Sequence, residues 1–560
     1  MKRTIIAIFC TLAATGAGAQ TMYDGLTFSQ NNYYGTARSI GMGNAMTAVG
    51  GDLGSIGINP AGSAVYNFSQ FTITPNLTIS SMNSSYSAYP TGGQDHFINS
   101  QARNLTRFTM PNVGATLNMP TGNRSGLLSV TFGFLVNGTN NFTGQMMAGG
   151  ANDKTSYLSA MAVGADGFDI DVMNGYMDLS GKDIDQWDYA YYNTDIPWNS
   201  IVNAQAGSIA NYGDVNDPSY YWRYIAATEG FQQTEGVDAD GNHIYDIYLA
   251  GPVNQAYGRK VTGGKYDALF NVGFNINNRL YLGANLGLAN ISYDYDEYFK
   301  EAAQDPADFL IEYSDASTYW SDYRSRYSYS AEGSGVYGKF GFIAIPADGV
   351  RIGAAIQTPT VMNVNEIWRH AVDVNYTDVK YNANASSPEG EFAYRLITPY
   401  RVNAGVAFTF MGMGMLSADY EMTDYSAMKF RNDVDWNTNF DNLNSEIRDC
   451  MGKSHMVRLG AEFKPIPEFA VRAGYNFTTI PEYEYNGTIK TTLKDRMDSF
   501  SVGIGYYSKG SFFADLAARL TMMSDEYISP YIDYLSDVAS PLILNKRERY
   551  DITATFGWRF

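Results

Sequence analysis

The feature that most limits what this chain can become is a two-residue rhythm that returns along most of its length. It is cleanest near residue 560. Tyr550, Ile552, Ala554, Phe556, Trp558 and Phe560 fall on one face of an extended segment, and Asp551, Thr553, Thr555, Gly557 and Arg559 fall on the other. Side chains of a β-strand point alternately to opposite sides, so this segment has one apolar and one polar face. The same rhythm runs through 280–288, 457–463, 469–477 and 512–520.

Read in order, about fourteen strands are predicted, near 68–81, 106–119, 126–140, 265–277, 279–296, 320–345, 349–375, 391–411, 414–430, 453–464, 468–480, 496–508, 511–524 and 548–560. Every second joint is short, such as Asn278, 346–348, Gly412 with Met413, 465–467 and Lys509 with Gly510. The joints between them are mostly long and polar. An even strand count, with short turns at one end and long loops at the other, is the layout of an antiparallel transmembrane β-barrel. A water-soluble sandwich also alternates, but several of these strands exceed the roughly 9–11 residues that cross a bilayer.

The composition agrees. There are 44 Tyr, 30 Phe and 55 Gly, only 2 Cys, and 17% charged residues. Apart from the first residues there is no apolar run long enough for a transmembrane helix. Residues 1–19 read as a signal peptide, with Lys2 and Arg3 ahead of an apolar stretch and Ala17-Gly18-Ala19 as the cleavage site. Its removal takes Lys2, Arg3 and Cys10 with it. Cys450 is then left without a disulfide partner, and the net charge goes from −19 to −21. No basic face offers itself to nucleic acid.

Two stretches break the rhythm. Residues 37–66 are rich in Gly, Ala and Ser, nearly uncharged and without a period, and they contain Asn59-Pro60-Ala61-Gly62. Pro60 lacks a backbone donor and Gly62 tolerates positive φ, so a turn is predicted there. Such a segment could pack closely inside a barrel as a plug. Residues 141–264 hold 16 Asp+Glu against 5 Lys+Arg. Their aromatics include Trp187, Tyr189, Tyr191, Tyr192, Trp198, Tyr220, Tyr221, Trp222 and Tyr224, too many for a disordered loop. A folded extracellular cap is expected, whose rings pack on each other or offer an apolar landing surface.

The leader, Gly41-Met42-Gly43-Asn44-Ala45, the Asn59-Pro60-Ala61-Gly62 turn and the terminal Phe560 together resemble the FadL-like family of outer-membrane transporters, as do 339–360, 396–410 and 415–430. The resemblance covers most of the chain after the leader and is weakest over 141–264. It implies an all-β, fourteen-stranded barrel over 67–560, plugged by an N-terminal hatch at 20–66. It implies passive uptake of long-chain fatty acids or aromatic hydrocarbons, without coupled energy, and lateral exit where an early strand kinks. By position that strand is 126–140, where Gly133 and Gly138 would ease a bend. The expected location is the outer membrane of a Gram-negative bacterium. Expected partners are a hydrophobic ligand, outer-membrane lipid and the barrel-assembly machinery, which reads an ending such as Phe560. A monomer is expected.

Alternation puts Arg351, Arg401, Arg458, Arg472, Arg519 and Arg559 on lumen faces. They can pair with Glu462, Asp515, Asp551 or a hatch carboxylate such as Asp52, tying plug to wall. One or two can instead bind a ligand carboxylate through a bidentate fork. No metal or other cofactor is expected. His96, His243, His370 and His455 show no ligand spacing, and Asp238-Ala-Asp240-Gly-Asn242 lacks the Gly and closing Glu of a calcium loop. No hydrolase motif surrounds these histidines, so an enzyme is not expected. Two other functions compete: an open diffusion porin, and a surface binding or adhesion protein that uses the barrel as an anchor. An energised receptor would need a larger plug.

Overall fold

A computed structural model describes residues 21–88, 97–173, 196–212, 223–237, 243–313, 316–410, 412–432, 439–486, 489–492, 495–531 and 540–560. The predicted signal peptide, the calcium-like run at 238–242, His96 and seven of the cap aromatics (Trp187, Tyr189, Tyr191, Tyr192, Tyr220, Tyr221 and Trp222) lie outside the described residues.

Fourteen antiparallel strands close into one barrel. They are β1 (Gln70–Ser87), β2 (Ile98–Pro120), β3 (Leu127–Asn141, then Gly144–Asn152), β4 (Val253–Ile276), β5 (Leu280–Ala303), β6 (Ser317–Ala347), β7 (Val350–Gln357, then Val361–Tyr376) and β8 (Gly390–Ile397, then Arg401–Phe410). They continue with β9 (Gly414–Asp424, then Lys429–Arg431), β10 (Lys453–Ile466), β11 (Phe469–Thr479), β12 (Arg496–Tyr507), β13 (Phe512–Met522) and β14 (Leu542–Arg559). Each pairs with the next, and β14 returns to β1 in a ladder from Gln70↔Arg559 to Ser87↔Leu542. Ser69 and Phe560 complete the seam. The Ser69 N–H donates to Phe560 O at 3.1 Å, and the Phe560 N–H donates to Ser69 O at 2.9 Å. Closure leaves no free sheet edge along this seam, which a chain in lipid requires.

The alternation sorts the two faces as the sequence predicts. Phe340, Ile356, Phe408, Leu416, Ile504 and Ile552 point outward and are exposed. Inward neighbours such as Lys339, Arg458, Asp515, Asp551 and Thr555 are buried. An apolar belt around a polar interior is a lipid-facing surface.

Two expectations need correction. Several strands are longer than predicted, and β6 alone runs 31 residues. The expected loop 141–264 also carries strand at both ends. Gly144–Asn152 of β3 pairs with Val253–Val261 of β4, so the joint between the two strands is shorter than predicted. Strand character was hidden there by Gly144, Gly149 and Gly150 on one side and by Gly258, Gly263 and Gly264 on the other. An isolated glycine-rich run reads as loop unless the partner strand is known.

Between these strands a cap folds over the end of the barrel opposite its short turns. Its core joins Tyr157, Leu158, Ile201 and Val202 to Phe299, Tyr323 and Tyr531 from the surrounding strands and loops. Tyr157 stacks on Phe299 at 4.7 Å and meets Tyr531 edge-on at 5.8 Å. Glu301 lies inside this core. It accepts from Gln255 Nε2 at 2.6 Å, Ser156 Oγ at 2.8 Å and the Tyr157 N–H at 3.2 Å.

Candidate functional site

Residues 21–66 form short helices. Helix α1 (Met22–Ser29) starts with a capping box in which Thr21 and Asp24 bond reciprocally. Helix α2 (Ala37–Gly41) is capped by Thr36, α3 (Leu53–Ile58) follows, and a 3-10 helix spans Pro60–Val65. The Asn-Pro-Ala-Gly motif thus begins a helix rather than a free turn. The Asn59 side chain accepts from the Ala61 N–H at 3.1 Å, and Pro60 occupies the first turn, where its missing N–H is harmless.

Gly62 does not use the positive φ expected of it and is not among the residues with φ above zero. Space requires it instead. An added Cβ would stand 2.5 Å from Ser55 Oγ and 3.4 Å from the Gly50 Cα.

The wall binds this segment from many sides. Asn59 Nδ2 donates to Thr47 O at 2.7 Å and to Phe342 O of β6 at 3.0 Å. Asn271 of β4 donates to Pro60 O at 3.0 Å, and Asn285 of β5 donates to Ile56 O at 2.9 Å. Lys339 of β6 donates to Gly57 O at 2.8 Å. Asp419 of β9 accepts from the Thr47 N–H at 2.7 Å, and Thr555 of β14 accepts from the Ala37 N–H at 2.8 Å. Inward side chains of strands all round the barrel therefore satisfy backbone groups that would otherwise be orphaned.

The arginines singled out in the sequence sit in the same interior, each with protein partners. Arg472 bridges Glu462 and Asp515, both at 2.7 Å. Arg519 pairs with Asp551 at 2.8 Å and donates to Tyr33 O at 2.9 Å. Arg458 reaches Glu421 at 3.0 Å and Asn403 at 2.9 Å. Arg401 reaches Glu421 at 3.3 Å and also bonds Ser29 O. Arg351 donates to Val49 O at 2.7 Å. Arg559 lies over the rings of Phe68, Phe513 and Tyr507. Asp52 instead accepts from Thr36 Oγ1 at 2.6 Å, inside the segment.

Sequence reasoning missed Arg38, which brings its own cation to Glu462 at 2.9 Å, and also Lys265, Lys339 and Arg549. Alternation marks the last three as inward, since each neighbours an outward apolar or surface residue. Arg38 lies in the aperiodic stretch and carries no such mark.

A polar cavity of about 20 Å³ opens among these groups, lined by Asn32, Tyr33, Arg458, Arg519 and Arg549 with Met456 and Met497. That volume holds about one water molecule and no hydrocarbon chain.

The wall itself is incomplete beside β3. The β2–β3 ladder runs only from Asn112↔Asn137 to Pro120↔Ser129. Residues 98–109 of β2 stay laddered to β1, but no ladder joins them to Gly144–Asn152 of β3. Pro111 at the divergence has no N–H to give. The β3–β4 ladder shifts register between Gly138 and Asn140, at the same level. Gly138 therefore lies at the break, whereas Gly133 lies in paired strand opposite Thr116 and Asn271. Across the break, Arg107 of β2 donates to Gly263 O of β4 at 2.9 Å.

Three solved structures are similar to the chain along nearly its whole length. A Pseudomonas aeruginosa FadL homologue aligns with 94% of this chain and 98% of its own, at 11% identity and a TM-score of 0.46. The Ralstonia pickettii toluene transporter TbuX aligns over 96% and 100%, at 11% identity and a TM-score of 0.44. The P. putida toluene transporter TodX aligns over 95% and 99%, at 12% identity and a TM-score of 0.44. No protein-family profile and no curated protein matches the sequence.

Proposed function

We propose that the protein is an outer-membrane channel of a Gram-negative bacterium that takes up a hydrophobic small molecule passively and releases it sideways through the break beside β3. One observation carries this reading. A barrel whose interior is bonded to residues 21–66 from many sides nonetheless has a wall whose ladder stops at Asn112↔Asn137. A filled lumen suits a porin poorly, and an interrupted ladder gives an apolar molecule a path that avoids the periplasmic end. Residues 21–66 act as the hatch, with Asn59 to Gly62 fastening it to the wall. The FadL-like motifs of the sequence make long-chain fatty acids or aromatic hydrocarbons the expected ligand class.

Mass spectrometry of protein extracted in mild detergent tests this. A long-chain acid or aromatic hydrocarbon should co-purify at near-stoichiometric amounts, and intact protein in planar bilayers should give no large steady conductance. Steady porin-like channels would refute the reading. Binding at the cell surface is a second reading, favoured by the folded cap and its buried aromatic core. Deleting the cap would then abolish the activity, while deleting 21–66 would spare it.

A further inference from the structure

Arg549 of β14 lines the polar cavity of the lumen and is only 7% exposed. Its Nη1 donates to Tyr34 OH at 3.3 Å, and its Nε–H has no acceptor. Its charged neighbours along the strand are already engaged. Asp551, two residues on and on the same face, accepts from Arg519 Nη2 at 2.8 Å and Nε at 3.2 Å through one oxygen, and from Thr78 Oγ1 at 2.7 Å through the other. Glu548 is exposed on the outer face, where it accepts from Tyr550 OH at 2.7 Å. Arg547 pairs with Glu526 at 3.7 Å. Among the described residues Arg549 forms no ion pair.

Arg458 of β10 lines the same cavity. It donates to Glu421 at 3.0 Å, and Arg401 shares that carboxylate at 3.3 Å. Arg458 Nε lies 3.8 Å from Asp419, beyond hydrogen-bond reach, and it too has no acceptor. Four buried arginines, Arg401, Arg458, Arg519 and Arg549, thus face three buried carboxylates, Glu421, Asp419 and Asp551. A cation held away from water without a counter-charge is expensive, and the excess here falls on Arg549.

We propose that the cavity is a halide site, in which one chloride ion accepts from the Arg549 guanidinium and balances its charge. The volume of about 20 Å³ suits a single particle little larger than a water molecule. Sulfate, phosphate and a carboxylate that carries a hydrocarbon chain are all too large for it. Met456 and Met497 make part of the lining polarisable and apolar, which a monovalent halide tolerates better than a strongly hydrated divalent ion. The unused Nε–H of Arg458 offers a second donor, so the ion joins β10 to β14 across the interior. The site stands whether or not a hydrophobic molecule crosses the barrel.

Urea titrations of the full chain in mild-detergent micelles test this, in sodium chloride and in sodium gluconate at equal ionic strength. Gluconate exceeds the cavity, and matched ionic strength keeps the screening of surface charges the same. Chloride at about one hundred times its dissociation constant should raise the ratio of folded to unfolded protein about hundredfold over gluconate, as for any ion bound only by the folded state. Arg549→Gln should abolish that response. In gluconate the variant should be at least as stable as the parent, because an uncompensated charge is gone. An arginine kept only for its bond to Tyr34 would lose stability equally in both salts. Crystals grown in sodium bromide should show an anomalous scatterer beside Arg549.

Equal stability of the parent protein in the two salts overturns the site. So does a chloride response that survives Arg549→Gln, or an equal loss of stability by that variant in both salts. If the variant does not assemble, bromide scattering from the parent decides alone, and the absence of a peak beside Arg549 overturns the site. A long-chain carboxylate found bonded to Arg549 overturns it as well, while supporting the transport reading.

Discussion

Single residues carry opposite pH responses in the outer part of the molecule. Burial pushes the Glu301 carboxyl up to about 7, against the hydrogen bonds from Gln255 and Ser156. Its folded value lies above its free value of 4.5, so its contribution to stability is complete below pH 4.5 and is lost as pH rises through 7. Burial pulls the His370 imidazole down to about 3 from 6.5. Its contribution is complete above pH 6.5 and is lost as pH falls towards 3. The two oppose each other between pH 4.5 and 6.5, and above that range Glu301 acts alone. Protease resistance of the cap should therefore fall between pH 6.5 and 8, by the equivalent of about 1 kcal/mol at most. Glu301→Gln should flatten that fall. An unchanged profile in the variant would contradict the assignment.

At this scale the sequence was half legible. Alternation alone put six arginines inside. Their partners were legible only where they too lay on a periodic strand, as for Arg472 with Glu462 and Asp515. The carbonyls of Ser29, Tyr33 and Val49, which hold Arg401, Arg519 and Arg351, belong to a segment with no period to read.

Among the elements, the 3-10 helix Pro60–Val65 is fastened by one side chain with three bonds. Asn59→Ala strands the Thr47 and Phe342 carbonyls and loses the cap on Ala61. Leaving buried polar groups unmade costs about 1–3 kcal/mol. The barrel, held by its ladders, should still show heat-modifiable migration, while uptake should drop. A barrel that fails to assemble would make the helix purely structural. The motif was visible in the sequence, but its form was not. Asn-Pro-Ala-Gly suits both a turn and a capped helix start, and contacts with the wall decide between them. The break beside β3 was less legible still. A lost ladder is a property of register between two strands, and of the two glycines that marked the third strand only Gly138 lies at the break.

At the scale of the whole molecule, the strand number could be read because the joints alternate in length and each strand shows one apolar face. The ring is completed by the paired backbone bonds of Ser69 and Phe560. Deleting Phe560 removes both and should lower the yield of heat-modifiable barrel in the membrane. Normal surface levels would show that β14 closes without it. The length of the strands was underestimated because polar residues replace the outward apolar face above the lipid. That length has a consequence for where the protein meets its surroundings. At about 3.3 Å per residue, a strand that needs roughly 9–11 residues to cross the bilayer and has 31 continues for some 65 Å along its axis. Tilted by about 40°, it rises roughly 50 Å from the lipid, whereas β11, β12 and β13, with 11, 12 and 11 residues, barely clear it. The mouth is therefore slanted, and a molecule approaching from that end meets the tall side formed by β4 to β7 first.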